Sequence, residues 1–201
     1  MFIPESVQNR EDYQQCIRFH GHTCMGVTIG YLAAKAGLDL LKASPAIDEE
    51  LIAIVENDAC CCDAIQVLTG CTFGKGNFIF KDYGKMAFTF GNRQTGEAFR
   101  LLLKQEAFAV PKEEKLLAEK IGSGKGTAEE IKEYEKLYET RGISQFALGA
   151  ESFFIIDKLD LRLPPKATLA PSEPCDICQE MVMQTKLEVI DNQKICLACR
   201  A

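Results

Sequence analysis

Both histidines of this 201-residue chain stand in one short stretch, Phe19-His20-Gly21-His22-Thr23-Cys24-Met25-Gly26, and one of its ten cysteines follows two residues later. If the stretch is extended, offsets of two throw His20, His22 and Cys24 to the same side. Imidazole nitrogen and thiolate sulfur together suit zinc, copper(I) or iron, whereas magnesium and calcium take oxygen. Gly21 and Gly26 let the backbone turn tightly around such a cluster. The same residues can also be read as a buried polar turn, with the imidazoles capping a helix and Cys24 acting only as a small apolar side chain.

A second donor set is local. Cys175-Asp176-Ile177-Cys178 and Cys196-Leu197-Ala198-Cys199 are two CxxC knuckles separated by seventeen residues, the spacing of a four-thiolate tetrahedral zinc site. The alternative is four reduced thiols on a tail. Met181–Thr185 and Lys186–Ile190 around Asp191-Asn192 read as a hairpin between the knuckles. Only two residues follow Cys199, too few for the helix of a full treble clef, so a ribbon or truncated treble clef is expected. Four thiolates close the coordination sphere, which makes this site structural, with metal supplying most of the folding energy of so small a unit. Lys186, Lys194 and Arg200 stand against Glu173, Asp176, Glu180, Glu188 and Asp191. That balance speaks against nucleic acid and for protein contact.

Composition bounds the rest. At 47% hydrophobic, 26% charged and net charge -6, the chain has the make-up of an ordinary globular protein and no electrostatic footprint for nucleic acid or an anionic membrane. Its first residues lack the basic start and apolar core of a signal peptide, and no apolar run approaches a membrane span, so a cytoplasmic protein is expected. In that compartment ten cysteines point to ligands or reactive thiols rather than disulfides. The remaining thiols are Cys16, the triplet Cys60-Cys61-Cys62, and Cys71.

These donors need elements to place them. A short helix over 11–18 leads into the histidine stretch. Beyond Gly26, the run to Leu41 reads as a buried helix rich in glycine and alanine, with its positive end beside Cys24. After Ser44-Pro45, Leu51–Val55 is a short apolar run that fits a central strand. Cys60 to Gly70 follows as a helix with Cys60, Asp63 and Gln66 on one face. Phe78–Phe80 and Met86–Phe90 flank Asp82-Tyr83-Gly84-Lys85 and read as a hairpin. From there the pattern predicts helices over Glu97–Phe108, Lys112–Ile121 and Ala128–Tyr138, the last opened by a Thr127-to-Glu130 capping box. An apolar segment over 143–161 closes this part. Four of the seven prolines lie between 164 and 174, a semi-rigid linker. The reading is therefore an α+β core domain over 1–163, a small sheet flanked by helices, then a linker over 164–172 and a four-cysteine finger over 173–201.

Two Gly-Lys stretches fail as phosphate loops. Gly70–Gly76 has one spacer too few and a glycine after the lysine, and Gly122–Thr127 follows a helix where a strand is required. Lys75 instead stands just past Cys71, a positive charge for the metal turn. If the first strand-and-helix unit packs against the helix that starts at Gly26, His22, Cys24, Cys60 and Cys71 can converge.

The chain resembles the FmdE-like family, the proteins associated with formylmethanofuran dehydrogenase. The resemblance rests on Phe19–Gly26, similar to that family's Phe-x-Gly-His-x-Cys-Pro-Gly, with Met25 where the proline stands. It continues through Val55-Glu56-Asn57-Asp58-Ala59-Cys60, Asp63-Ala64-Ile65-Gln66, Thr69-Gly70-Cys71-Thr72 with Gly74-Lys75-Gly76-Asn77, Asp82-Tyr83-Gly84-Lys85 and the C-terminal knuckles. It implies an α+β core with a metal-binding cleft, a small zinc finger and a homodimer. By the same resemblance the metal ligands carry over to His22, Cys24, Cys60 and Cys71, with Cys61 and Cys62 as extra thiols. A second transition metal, zinc first, is thus expected in the N-terminal site, with His20 or Asp63 carrying protons or orienting a ligand, and Lys75 nearby. The implied setting is one-carbon or molybdenum/tungsten enzyme metabolism, as a metal-dependent enzyme or part of one. The alternative is a non-catalytic accessory or metal-handling protein whose finger docks a larger dehydrogenase. Redox-active N-terminal thiols are a third reading.

Overall fold

The polar N-terminal stretch folds into two helices, α1 (Glu5–Gln8) and α2 (Glu11–His20), in a computed structural model that describes residues 3–160 and 162–200. Glu11 and Asp12 open α2, and Arg18 and His20 close it, the charge order that complements a helix dipole. Gly21, at φ 97°, terminates α2 in the left-handed region, where glycine carries no steric cost. The chain then enters α3 (Met25–Leu41) with Cys24 as N-cap. It continues through β1 (Leu51–Val55), α4 (Cys61–Thr69), β2 (Phe78–Phe80), β3 (Ala87–Asn92), β4 (Ala98–Leu103), α5 (Lys112–Gly122), α6 (Ala128–Ala147) and β5 (Phe154–Leu159).

These strands make one sheet in the order β2-β1-β3-β4-β5. The expected hairpin between β2 and β3 does not form: β1 lies between them, parallel to β2 and antiparallel to β3. All five residues of β1 are buried, and a strand apolar on both faces belongs in a sheet interior. The expected helix over Glu97–Phe108 is also corrected. Ala98–Leu103 is β4, with both of its edges hydrogen-bonded, to β3 and to β5. Phe99, Leu101 and Leu103 alternate onto the core face, opposite Ala98, Arg100 and Leu102, so cross-strand pairing overrides a leucine-rich helical composition. The closing apolar segment divides into the end of α6, a 3₁₀ turn over Ala150–Ser152 and β5. Residue 161 lies outside the described residues.

The core lies on one face of this sheet. Ala53, Val55, Phe88, Phe90, Leu101 and Phe154 meet Val27, Tyr31, Ala33, Ala34, Cys61, Ile65 and Leu68 from the helices, with α3 across β3 and β4 and α4 on β1. On α6, Thr127 and Glu130 complete the capping box reciprocally at 3.0 and 3.3 Å. Two compact units result, Met1–Pro165 and Lys166–Ala201. Pro164 and Pro165 belong to the first: their carbonyls accept from Arg93 at 3.1 and 3.0 Å, and Leu163 packs on Gly91. The second unit pairs β6 (Ser172–Pro174) with β7 (Met181–Met183), and β8 (Leu187–Ile190) with β9 (Gln193–Cys196). Asp191 and Asn192, both at positive φ, make the β8–β9 turn in the conformation that matches strand twist.

Opposite the core, Glu56 at the end of β1 takes a two-pronged ion pair from Arg100, Nε at 2.7 Å and Nη2 at 2.9 Å. The Arg100 hydrogen bonds hold the Glu56 carboxyl below its ordinary 4.5. A depressed folded value stabilises the fold above pH 4.5, and that contribution is lost as pH falls through the lower value. Glu56→Gln is expected to lower stability at pH 7 by about 1.5–3 kcal/mol and to flatten the acid limb of the urea midpoint measured against pH.

Candidate metal centres

Three helix ends meet at the first centre. His20 is the last residue of α2, Cys24 caps α3, and Cys60 stands immediately before α4. His20 Nε2 lies 3.7 Å from Cys24 Sγ, and the donor atoms of His20, Cys24 and Cys60 all fall within 4.8 Å of one another. Tetrahedral zinc with ordinary N and S bond lengths separates such atoms by about 3.6–3.8 Å, so the donor set fits a soft divalent metal.

Side chains around the donors fix them. Asp63 Oδ2 is 2.7 Å from His20 Nδ1, an arrangement that puts the proton on Nδ1 and leaves the Nε2 lone pair for the cluster. Val27 N–H donates to Cys24 Sγ at 3.4 Å. Desolvation, and then the hydrogen bond with Cys24, push the Cys60 thiol up, which a metal would reverse by binding the thiolate. The neighbouring thiols of the triplet are otherwise engaged. Cys61, fully buried, donates to Asn57 Oδ1 at 3.1 Å, and Cys62 to the Asn57 carbonyl at 3.2 Å. Their mutual hydrogen bond raises the Cys61 thiol and lowers Cys62.

Of the residues expected at this centre, the structure brings together His20, Cys24, Cys60 and Asp63. His22 lies outside the donor group, its ring packed on that of His20 with centroids 4.5 Å apart. The stretch is not extended: Gly21 reverses the chain after α2, so the two histidines sit on different backbone conformations and the four-residue offset of His20 and Cys24 becomes the productive one. The signal was in the sequence, since a glycine directly after His20 is a helix stop. Cys71 and Lys75 lie past the far end of α4, about 15 Å from Cys60 along a helix of ten residue steps. Burial raises the Cys71 thiol, and Lys75 Nζ is bonded to the carbonyls of Ala46 and Ile47 at 3.2 and 3.5 Å.

In the second unit, the sulfurs of Cys175, Cys178, Cys196 and Cys199 lie within 4.8 Å of one another, with Cys178 and Cys196 4.0 Å apart. Backbone N–H groups of Cys178 and then Cys196 bring Cys175 down to about 6, while hydrogen bonding to Cys196 pushes Cys199 up to about 12. Four convergent sulfurs fit a structural zinc site.

A five-stranded sheet backed by helices whose ends present one imidazole and two thiols, followed by a four-thiol clasp, defines an α+β protein with two metal-type donor clusters. The chain belongs to the FmdE family: the family model described as "FmdE, Molybdenum formylmethanofuran dehydrogenase operon" matches residues 19–154, from the residue before His20 to the first of β5. An FmdE-like protein of tungsten formylmethanofuran dehydrogenase, from Syntrophus aciditrophicus, shares the fold, with a TM-score of 0.60 and 23% identity over 100% of this chain and 97% of that one. A probable S-adenosyl-L-methionine-binding protein from Archaeoglobus fulgidus is 27% identical over 188 residues, covering 90% of this chain and 50% of that protein. The chain thus spans about half the length of that relative.

The first centre depends on how closely α3 approaches α4. A Cβ on Gly30 would stand 2.2 Å from the carbonyl oxygen of Cys61, whereas one on Gly74 meets nothing within 4 Å. Gly30→Ala is expected to cost about 1–3 kcal/mol and to weaken metal binding at the first centre in competition with a chromogenic chelator. Gly74→Ala should change neither.

Proposed function

We propose that the first unit holds a zinc-like divalent metal on His20, Cys24 and Cys60, leaves one coordination position open, and serves as a metal-dependent enzyme or a component of one. The observation that carries this is the set of three soft donors within 4.8 Å with the histidine held by a carboxylate at 2.7 Å. One nitrogen and two sulfurs plus an exchangeable position is a catalytic zinc pattern, and the metal would supply an activated water or a polarised carbonyl at neutral pH. Asp63 holds the His20 tautomer. Cys61, Cys62 and Asn57 brace the chain before α4 and keep competing thiols off the metal. Zinc is also assigned to the four-cysteine unit.

The setting proposed is one-carbon or molybdenum/tungsten enzyme metabolism, in the cytoplasm, as a homodimer or beside a larger dehydrogenase. Its support is the family's operon description and the name of the Syntrophus relative. All ten cysteines are unpaired, which agrees with a reducing compartment. Among the described residues, no helix is long and apolar enough to cross a membrane. A second reading, metal handling without turnover, is favoured by one contact: His22 packs against His20 and is near enough to complete a four-donor sphere by side-chain rotation.

Purified protein is expected to carry about two metal equivalents per chain. Cys24→Ala, Cys60→Ala and His20→Ala should each lose one while the finger keeps its own, and Cys71→Ala should lose none, as read by mass-spectrometric metal analysis. Asp63→Asn is expected to lower the affinity of the first centre by about 10–100-fold. With cobalt(II) in that centre, His22→Ala should leave the visible bands unchanged; a shift toward those of lower coordination would favour the four-donor, metal-handling reading.

A further inference from the structure

We propose that Cys24 and Cys60 form a reversible disulfide under peroxide, so that the first centre is a redox-gated metal site. The proposal rests on the metal reading above and adds a regulation to it. Its basis is that these two thiols face each other across two separate helix ends, with sulfurs inside the 4.8 Å donor group and a mutual hydrogen bond. The backbones beneath them are already close: a Cβ on Gly26, two residues past Cys24, would stand 2.8 Å from the Cβ of Cys60. Reaching the disulfide length of about 2.05 Å therefore asks for side-chain rotation.

The other thiols of the first unit are poorer partners. Cys16, Cys61 and Cys71 are buried. Cys61 and Cys62 both donate to Asn57, and adjacent residues of a helix diverge instead of facing each other. Cys24 and Cys60 are both partly exposed, so an oxidant from solvent can reach them.

The chemistry balances with hydrogen peroxide as oxidant. One thiolate sulfur, of Cys24 or Cys60, attacks a peroxide oxygen, the O–O bond breaks, and a sulfenic acid forms with release of hydroxide. The second thiolate attacks that sulfur, the S–S bond forms, and a second hydroxide leaves. Two protons from water neutralise the hydroxides, two electrons pass from the sulfurs to peroxide, and the divalent ion loses both sulfur donors. A dithiol reverses the step, giving two thiols and its own disulfide. The four thiolates of the second unit serve as an internal comparison, because a filled four-sulfur sphere leaves no open position for peroxide.

The test treats full-length protein, metal-loaded and chelator-treated, with one equivalent of hydrogen peroxide, then alkylates, digests with trypsin and analyses peptides and released metal. Expected is a cross-link between the peptides 19–35 and 43–75, two hydrogens lighter than their sum, and in the loaded protein release of the first-centre metal with the finger's metal retained. Dithiothreitol should restore both thiols and rebinding. Because peptide 43–75 carries Cys60, Cys61, Cys62 and Cys71, the link should vanish in Cys60→Ser and persist in Cys61→Ser and Cys62→Ser. Cys24→Ser should instead leave a sulfenic acid that a dimedone probe traps. The proposal is overturned if both sulfurs stay alkylatable after peroxide, if the link runs through Cys61, Cys62 or Cys71, or if it forms without metal loss. A chain that holds no first-centre metal beforehand refutes the metal reading, while the disulfide is still scored in the chelator-treated sample.

Discussion

The approach of α3 to α4 governs the first unit. Gly26 and Gly30 put the first turns of α3 directly on the chain that leads into α4, with no side chain between the two backbones. Two consequences follow from that one contact. Cys24 and Cys60, separated by thirty-five intervening residues in sequence, arrive at the same place because each stands at the start of one of these helices. Each sulfur also sits near unpaired amide groups of a first helical turn, where negative charge is favoured. His20 completes the group from the end of α2, so the centre belongs to packing between helices and to no single loop.

The two clusters were unequally legible for that reason. Cys175, Cys178, Cys196 and Cys199 are organised by two short knuckles and a turn at Asp191-Asn192, and spacing alone defines them. The first centre depends on which ends of which helices meet, and the sequence offers several combinations of two histidines and six thiols to choose among. His20 looked equivalent to His22 until Gly21 divided them. Cys71 looked like a ligand because a loop after a helix is where α/β proteins often present functional groups. The length of α4 puts it at the wrong end of that helix.

The fold shows the same division between local and distant causes. Leu51–Val55, the glycine-rich α3, the glycine stop after α4 and the Thr127 capping box were readable because each is settled within a few residues. The strand identity of Ala98–Leu103 was not, because that segment is good material for a helix and becomes a strand only when β3 and β5 supply both neighbours. The missing hairpin has a related cause: the turn at Asp82–Lys85 is real, yet the strands it joins prefer the two sides of β1.

Arg93 carries a practical lesson for dissecting the molecule. Its guanidinium holds the carbonyls of Glu49, Pro164 and Pro165 together and lies beside the Glu49 carboxylate. A shortened version of the protein that stops at residue 162 or 163 would strip two acceptors from a charged group that is 11% exposed, and the shorter of the two would also uncover Gly91 where Leu163 had sealed it. Expression boundaries for the first unit are better drawn beyond Pro165, so that the clasp stays whole.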